Sequence, residues 1–112
     1  MKLPHAELAV VEPAKITEYL LNPAHPDNGG KAAFFLALGF SHDDWQVLAA
    51  AFRTMAENLP VAISMASPHG QKYIVEGNIE TPSGKTARVR TVWIVDRGVD
   101  TPRLVTAYPQ ED

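Results

Sequence analysis

A chain of 112 residues, 46% apolar and 21% charged, has the make-up of one ordinary globular domain spanning 1–112. The absence of cysteine excludes a disulfide framework, a thiolate metal centre and a cysteine nucleophile, and a formal net charge of −3 argues against a bulk, sequence-independent nucleic-acid binder. No apolar run approaches the length of a membrane span and the N-terminus lacks a signal-peptide layout, so no membrane contact and a cytoplasmic location are expected, or delivery with a larger secreted protein.

In chain order, Leu3 to Val11 reads as extended or irregular. Pro13 suits a first helical turn, and Ile16, Tyr19 and Leu20 follow at helical spacing, which predicts a short helix to about Leu21. Asn22 to Gly30 is loop by its Pro, Asn and Gly content. A second helix is expected from about Gly30 to Leu38, with Gly39 as its stop. Ser41 opens a third, with Asp44 three residues on in near-capping-box spacing and Trp45, Leu48, Ala49, Phe52 and Met55 as its apolar stripe. Pro60 ends it. From Val61 the period changes to that of strands: Val61–Ala66, Gln71–Glu80, Lys85–Asp96 and Thr101–Pro109, joined by turns rich in Gly, Pro and Ser. The order is mostly helical over 1–60 and antiparallel sheet over 61–109. It predicts an α+β fold, three N-terminal helices packed on one face of a four-stranded antiparallel β-meander.

Charge is distributed unevenly. Residues 1–60 carry four Lys/Arg against seven Asp/Glu, whereas residues 82–110 carry Lys85, Arg88, Arg90, Arg97 and Arg103 against only Asp96 and Asp100. If Ser83 and Gly84 form a two-residue hairpin loop, Val75 faces Val92 and Ile79 faces Arg88 on one side, while Glu76 pairs with Thr91 and Ile74 with Trp93 on the other. That register makes the Glu76, Asn78, Thr91 and Trp93 side an open functional face. A slip of one residue would exchange the pairs.

Several constellations could carry chemistry. In the loop from His25 to Lys31, Asn28 or Gly29 can cap the second helix and leave the backbone N–H groups of Gly30 and Lys31 to meet an anion, with Gly29 permitting close approach and the His25 ring and Lys31 ammonium alongside; a Pro/Gly loop before a helix is also ordinary punctuation. Arg88, Arg90 and Arg103 offer guanidinium forks that match phosphate oxygens, or cross-strand partners for Glu76, Glu80 and Asp96. Thr106 and Tyr108 alternate, hence share a face, and both can hydrogen-bond a substrate oxygen; core packing at the rim is the plainer role for Tyr108. Glu76 is the one strand carboxylate with access to a cleft. His5, His25, His42 and His69 lack metal-ligand spacing, so neither a metal nor a cofactor is expected. Serine-hydrolase and phosphate-loop signatures are absent.

Lys2-Leu-Pro-x-Ala-Glu, Tyr19-Leu-Leu-Asn-Pro-x-His-Pro, Gly29-Gly-Lys-Ala-x-Phe-Phe35, Gly70-x-Lys-Tyr73, Trp93-Ile-Val95 and Pro102-Arg-Leu-Val-Thr-Ala-Tyr-Pro109 together resemble an uncharacterised bacterial domain family. Such domains occur alone and as the last module of polymorphic toxins. Their helices-then-sheet order is similar to the barnase, EndoU, colicin and RelE group of metal-independent ribonucleases. The resemblance implies an endoribonuclease acting on RNA, neutralised by a cognate immunity or antitoxin protein. It would use His25 as acid/base, Lys31 and Arg90 with Arg88 or Arg103 on the phosphate, and Thr91, Thr106 and Tyr108 to orient it. The chain departs from similar toxin modules at Gly30, where they carry a histidine immediately before the lysine, so the general base stays open.

Two other classes fit the same residues: a non-catalytic binding or interaction module, and a small-molecule anion binder with an enclosed pocket beside the His25 loop. In a nuclease, Lys31 and the arginines should converge within a few ångströms on the sheet face away from the helices; cations that are scattered or salt-bridged would count against the enzyme. Nothing in the sequence sets an oligomeric state.

Overall fold

The computed structural model describes residues 1–26 and 30–110. The helix cap expected at Asn28 or Gly29, and the anion-binding role of Gly29, fall outside them. The chain forms a 3-10 turn at Ala6–Leu8, a π-helical turn at Lys15–Leu20, helices α1 (Lys31–Ala37) and α2 (Trp45–Asn58), then strands β1 (Val61–Ser67), β2 (Gly70–Glu80), β3 (Thr86–Asp96) and β4 (Pro102–Pro109). The strands make one antiparallel sheet in the order β1-β2-β3-β4. The fold is α+β with a meander sheet, as the change of period at Val61 indicates.

The helical segments follow from local chemistry with one surprise. Where an ordinary helix is expected after Pro13, the N–H of Leu21 reaches back five residues to the Ile16 carbonyl at 2.8 Å. The wider π turn lets Ile16, Leu20 and Leu21 all enter the core while Tyr19 stays half-exposed. The Ser41 hydroxyl accepts the Asp44 N–H at 3.2 Å, closing the turn that launches α2. Leu48, Ala49, Phe52, Met55 and Ala56 form the buried stripe of α2, at the spacing of one helix face.

The β2–β3 register differs from the expected one by a single residue. Tyr73 pairs with Trp93, Val75 with Thr91, Glu76 with Arg90 and Asn78 with Arg88. The turn is longer than two residues: strand pairing stops at Glu80 and Thr86, and the Gly84 N–H bonds back to the Thr81 carbonyl at 2.9 Å with Gly84 at φ 86°. The slip exchanges the two faces. Thr91 and Trp93 therefore lie in the core with Val75, Ile79, Ala87 and Val89, among Phe35, Leu48 and Phe52. Arg88 and Arg90 lie on the opposite face with Glu76 and Asn78. Energetics favour this register: the expected one would turn two guanidinium groups toward the helices and leave an indole in water. Burying a large aromatic side chain is worth about 3 kcal/mol, whereas burying an unpaired charge costs several.

A second irregularity decides what β4 presents. Leu104 and Ala107 are both buried, yet three residues apart on a strand should face opposite ways. The register shifts between Val92↔Thr106 and Trp93↔Leu104, a bulge that takes up Val105. Beyond it, Thr106 and Tyr108 face the Arg90 side instead of the core.

Candidate functional site

The bulge aims β4 at the start of α1. Ala32 and Phe35, fully buried, anchor α1, and Lys31 precedes them at the boundary with β4. The Lys31 ammonium donates to the Tyr19 phenolic oxygen at 2.6 Å and to Thr106 Oγ1 at 2.9 Å. Its nitrogen lies 4.9 Å from the centroid of the Tyr19 ring and 5.8 Å from that of Tyr108. The His25 ring stands edge-on to Tyr19, centroids 4.9 Å apart. Arg90 approaches from the other side: its guanidinium donates to the Tyr108 hydroxyl at 3.4 Å and sits 5.8 Å from the ring centroid. One half-buried cluster thus joins Tyr19, His25 and Lys31 with Arg90 of β3 and Thr106 and Tyr108 of β4, three stretches far apart in sequence.

Ion pairing separates the cations. Among the described residues the pairs within 4 Å are His5–Glu7, Arg90–Glu76 and Arg103–Asp96, so Lys31 has hydroxyl and aromatic neighbours but no carboxylate. Arg90 gives Nε and one terminal nitrogen to Glu76 Oε2 at 3.2 and 3.0 Å, and Gln110 Nε2 contacts the same oxygen. The bond to Tyr108, then that to Glu76, hold the Arg90 guanidinium pKa above its ordinary value.

Tyr19 titrates unusually. Partial burial pushes its phenol up, but hydrogen bonding with Lys31 and Thr106 and the charges of Lys31 and Lys15 outweigh that, and the net shift is downward. An ammonium 2.6 Å from the oxygen stabilises phenolate more than phenol.

Of the residues singled out from sequence, the structure brings His25, Lys31, Arg90, Thr106 and Tyr108 together. Gly30 adjoins them as the residue before α1, at φ 87°. Arg88 is exposed two residues from Arg90 on the same face. Two residues go elsewhere. Thr91 is fully buried: its hydroxyl donates to the Val75 carbonyl at 2.8 Å and accepts the Trp93 indole N–H at 2.9 Å, so it cannot touch a substrate on the open face. Arg103, paired with Ile94, is clamped to Asp96 by contacts of 2.7 and 3.1 Å, toward the other end of β3 from Arg90. Tyr19 is the residue that sequence reasoning missed, since helical spacing made it a stripe residue; its signal was the Tyr19-to-Pro26 run. Cavities of about 390 and 520 Å³ flank α2, and neither is lined by His25, Lys31 or Tyr108.

No curated protein matches the chain. Among solved structures, one chain of a contact-dependent growth inhibition toxin–immunity protein complex from Klebsiella pneumoniae 342 is similar, with a TM-score of 0.74 and 20% identity over 90% of this chain and 99% of that one. At that identity the likeness concerns the fold. A family described as a domain of unknown function, DUF6883, matches residues 2–111, nearly the full extent of the motifs read from the sequence, and the chain belongs to that family.

Proposed function

We propose that this domain is a toxin-like, metal-independent endoribonuclease whose site is the Lys31 cluster. The observation that carries the reading is an ammonium without a carboxylate partner among the described residues, held by two hydroxyls between two tyrosine rings. A cation in that setting suits a phosphate, and the half-exposed tyrosine rings beside it suit contact with bases of a single strand. His25 stands beside the cluster as an acid/base group. In the reaction the RNA 2′-oxygen attacks its own phosphorus and yields its proton to a base, His25. Lys31, with Arg90 behind Tyr108, meets the charge that gathers on the phosphorane oxygens, and Thr106 and Tyr108 orient them. The likeness to a chain of a toxin–immunity complex supports a toxin setting, with a cognate immunity protein as partner and delivery within a larger secreted protein.

The test is cleavage of total RNA and tRNA by purified protein in EDTA. Wild type should cut, and Lys31→Ala should slow cutting on the order of 10²–10³-fold, the usual cost of removing one transition-state donor. Arg90→Ala should lose less, because Glu76 already occupies that guanidinium. Cutting that persists unchanged in Lys31→Ala would remove the proposed site.

A second reading, a non-catalytic interaction module, draws on the pairing of Arg90 and Arg103 with Glu76 and Asp96, which withdraws two of the arginines from ligand binding. Well-folded protein that binds a protein partner and leaves RNA intact would favour it.

A further inference from the structure

We infer that Tyr19 is the proton donor to the leaving group, the 5′-oxygen released when the phosphodiester breaks. The inference rests on the ribonuclease reading and gives that site the second proton-handling group such a reaction needs. When the 2′-oxygen bonds to phosphorus, its proton passes to His25 and the P–O5′ bond breaks. The electron pair left on O5′ takes the phenolic proton of Tyr19. The products are a 2′,3′-cyclic phosphate and a 5′-hydroxyl, and the enzyme is left with imidazolium and phenolate, which exchange their proton to restore the starting state.

Three features of the geometry point to Tyr19. The phenolic oxygen receives the Lys31 ammonium at 2.6 Å, so the phenolate formed on donation is neutralised where it forms. The cation that would hold the phosphate also touches the proposed acid, which puts the phenol within one contact of the reacting centre. His25 lies against the same ring at 4.9 Å between centroids, close enough for base and acid to serve the two sides of one phosphate and to re-equilibrate afterwards. Thr106 accepts a second ammonium proton at 2.9 Å and fixes Lys31 between the two. Tyr108 also touches Lys31, but only through its ring at 5.8 Å, and its hydroxyl receives Arg90, a contact that suits it to orientation.

Among the described residues, the charged and titratable groups around the Tyr19 ring are Lys15 at 5.4 Å, Lys31 and His25, with Tyr108 across Lys31; Glu18 on the same turn is exposed. Cations therefore dominate, in keeping with the lowered phenol pKa. Raising the pH through that pKa strips the proton the leaving group needs, so the rate should fall on the alkaline side. Ultraviolet titration of tyrosinate should place Tyr19 below the ordinary phenol range, and Lys31→Ala should move that ionisation upward.

The decisive experiment compares wild type, Tyr19→Phe and Lys31→Ala on an RNA dinucleotide and on its analogue with sulfur in place of the 5′-oxygen, a leaving group that departs without a proton. Tyr19→Phe should cut the oxygen substrate on the order of 10²-fold more slowly and lose the alkaline limb. It should then recover to within about tenfold of wild type on the sulfur substrate, where Lys31→Ala remains slow. Equal losses of Tyr19→Phe on both substrates, with its thermal transition intact, would reduce Tyr19 to a positioning role and overturn the inference while the ribonuclease reading stands. A wild-type protein that cuts neither substrate would overturn both.

Discussion

Replacing Thr91 with valine tests whether that residue belongs to the fold or to the site. The change keeps the shape and removes one hydroxyl from a fully buried position. The Trp93 indole N–H loses its acceptor at 2.9 Å and, with no solvent at hand, stays unpaired at a cost of about 1–3 kcal/mol. The Val75 carbonyl loses a donor at 2.8 Å, adding about 1 kcal/mol. The new methyl returns about 0.8 kcal/mol of apolar burial, leaving a net loss of about 2 kcal/mol, or roughly 8 °C in Tm for a domain of this size. Thr91→Ser, which keeps the hydroxyl and deletes the methyl, should cost about 1 kcal/mol. Urea unfolding followed by tryptophan fluorescence reads both, and RNA cleavage well below the transition should be unchanged in either. A valine variant no less stable than the serine variant would refute the hydrogen-bond argument. Loss of cleavage from fully folded Thr91→Val would refute the separation of this residue from the site.

Gly70→Ala should be among the most damaging single changes, because the new Cβ would lie 2.2 Å from the Val95 carbonyl oxygen at a φ of 155°. Backbone strain and a clash with backbone, which cannot rotate away, together cost about 3–5 kcal/mol, measurable as a fall in the urea midpoint. The Arg103–Asp96 pair predicts an acid response: hydrogen bonding to Arg103 holds the Asp96 carboxyl below its usual range against the opposing effect of burial. Its stabilisation is present above the ordinary carboxylate pKa and lost as pH falls through the depressed one, and Arg103→Gln should flatten the stability profile in that acid window. Glu76→Gln should release Arg90 and tighten RNA binding at low salt, with the slope of log K against log salt steeper by about 0.7 for each added phosphate contact. Weaker binding of the folded variant would show that the pair positions Arg90 and does not occupy it.

The strands, their order and the approximate extents of α1 and α2 were legible because each carries a clear period and clear stops: Gly39, Ser41, Pro60, Gly70 and Gly84. The β2–β3 register was not. Ser83-Gly84 reads as a two-residue loop, and only the competition between burying Trp93 and burying Arg88 and Arg90 shows that the turn must be longer. His25, Lys31, Arg90, Thr106 and Tyr108 were each visible as polar residues out of place, and the fold gathers them. What no period reveals is the bulge at Val105, although buried residues at 104 and 107 demand one. The π turn that frees Tyr19 was equally hidden, since its extra backbone residue per turn leaves the apolar spacing of Ile16 and Leu20 unchanged.

The same two irregularities account for the difference among the cations. Regular pairing would have set Thr106 toward the core and left Lys31 without an oxygen from β4. A regular helix would have carried Tyr19 around with the buried stripe. Each departure gives up some backbone regularity, and both end at the Lys31 ammonium. Arg90 and Arg103 found carboxylates on neighbouring strands, as surface arginines on a sheet ordinarily do. Among the described residues Lys31 instead has hydroxyl oxygens and ring faces, which orient a cation without pairing its charge. Local rules tend to be broken where a ligand later completes the arrangement, which is the ground for centring the proposed site on Lys31. On the proposed ribonuclease reading, the order of importance for phosphate recognition is Lys31 first, Arg90 after displacement of Glu76, Arg88 at the rim, and Arg103 not at all.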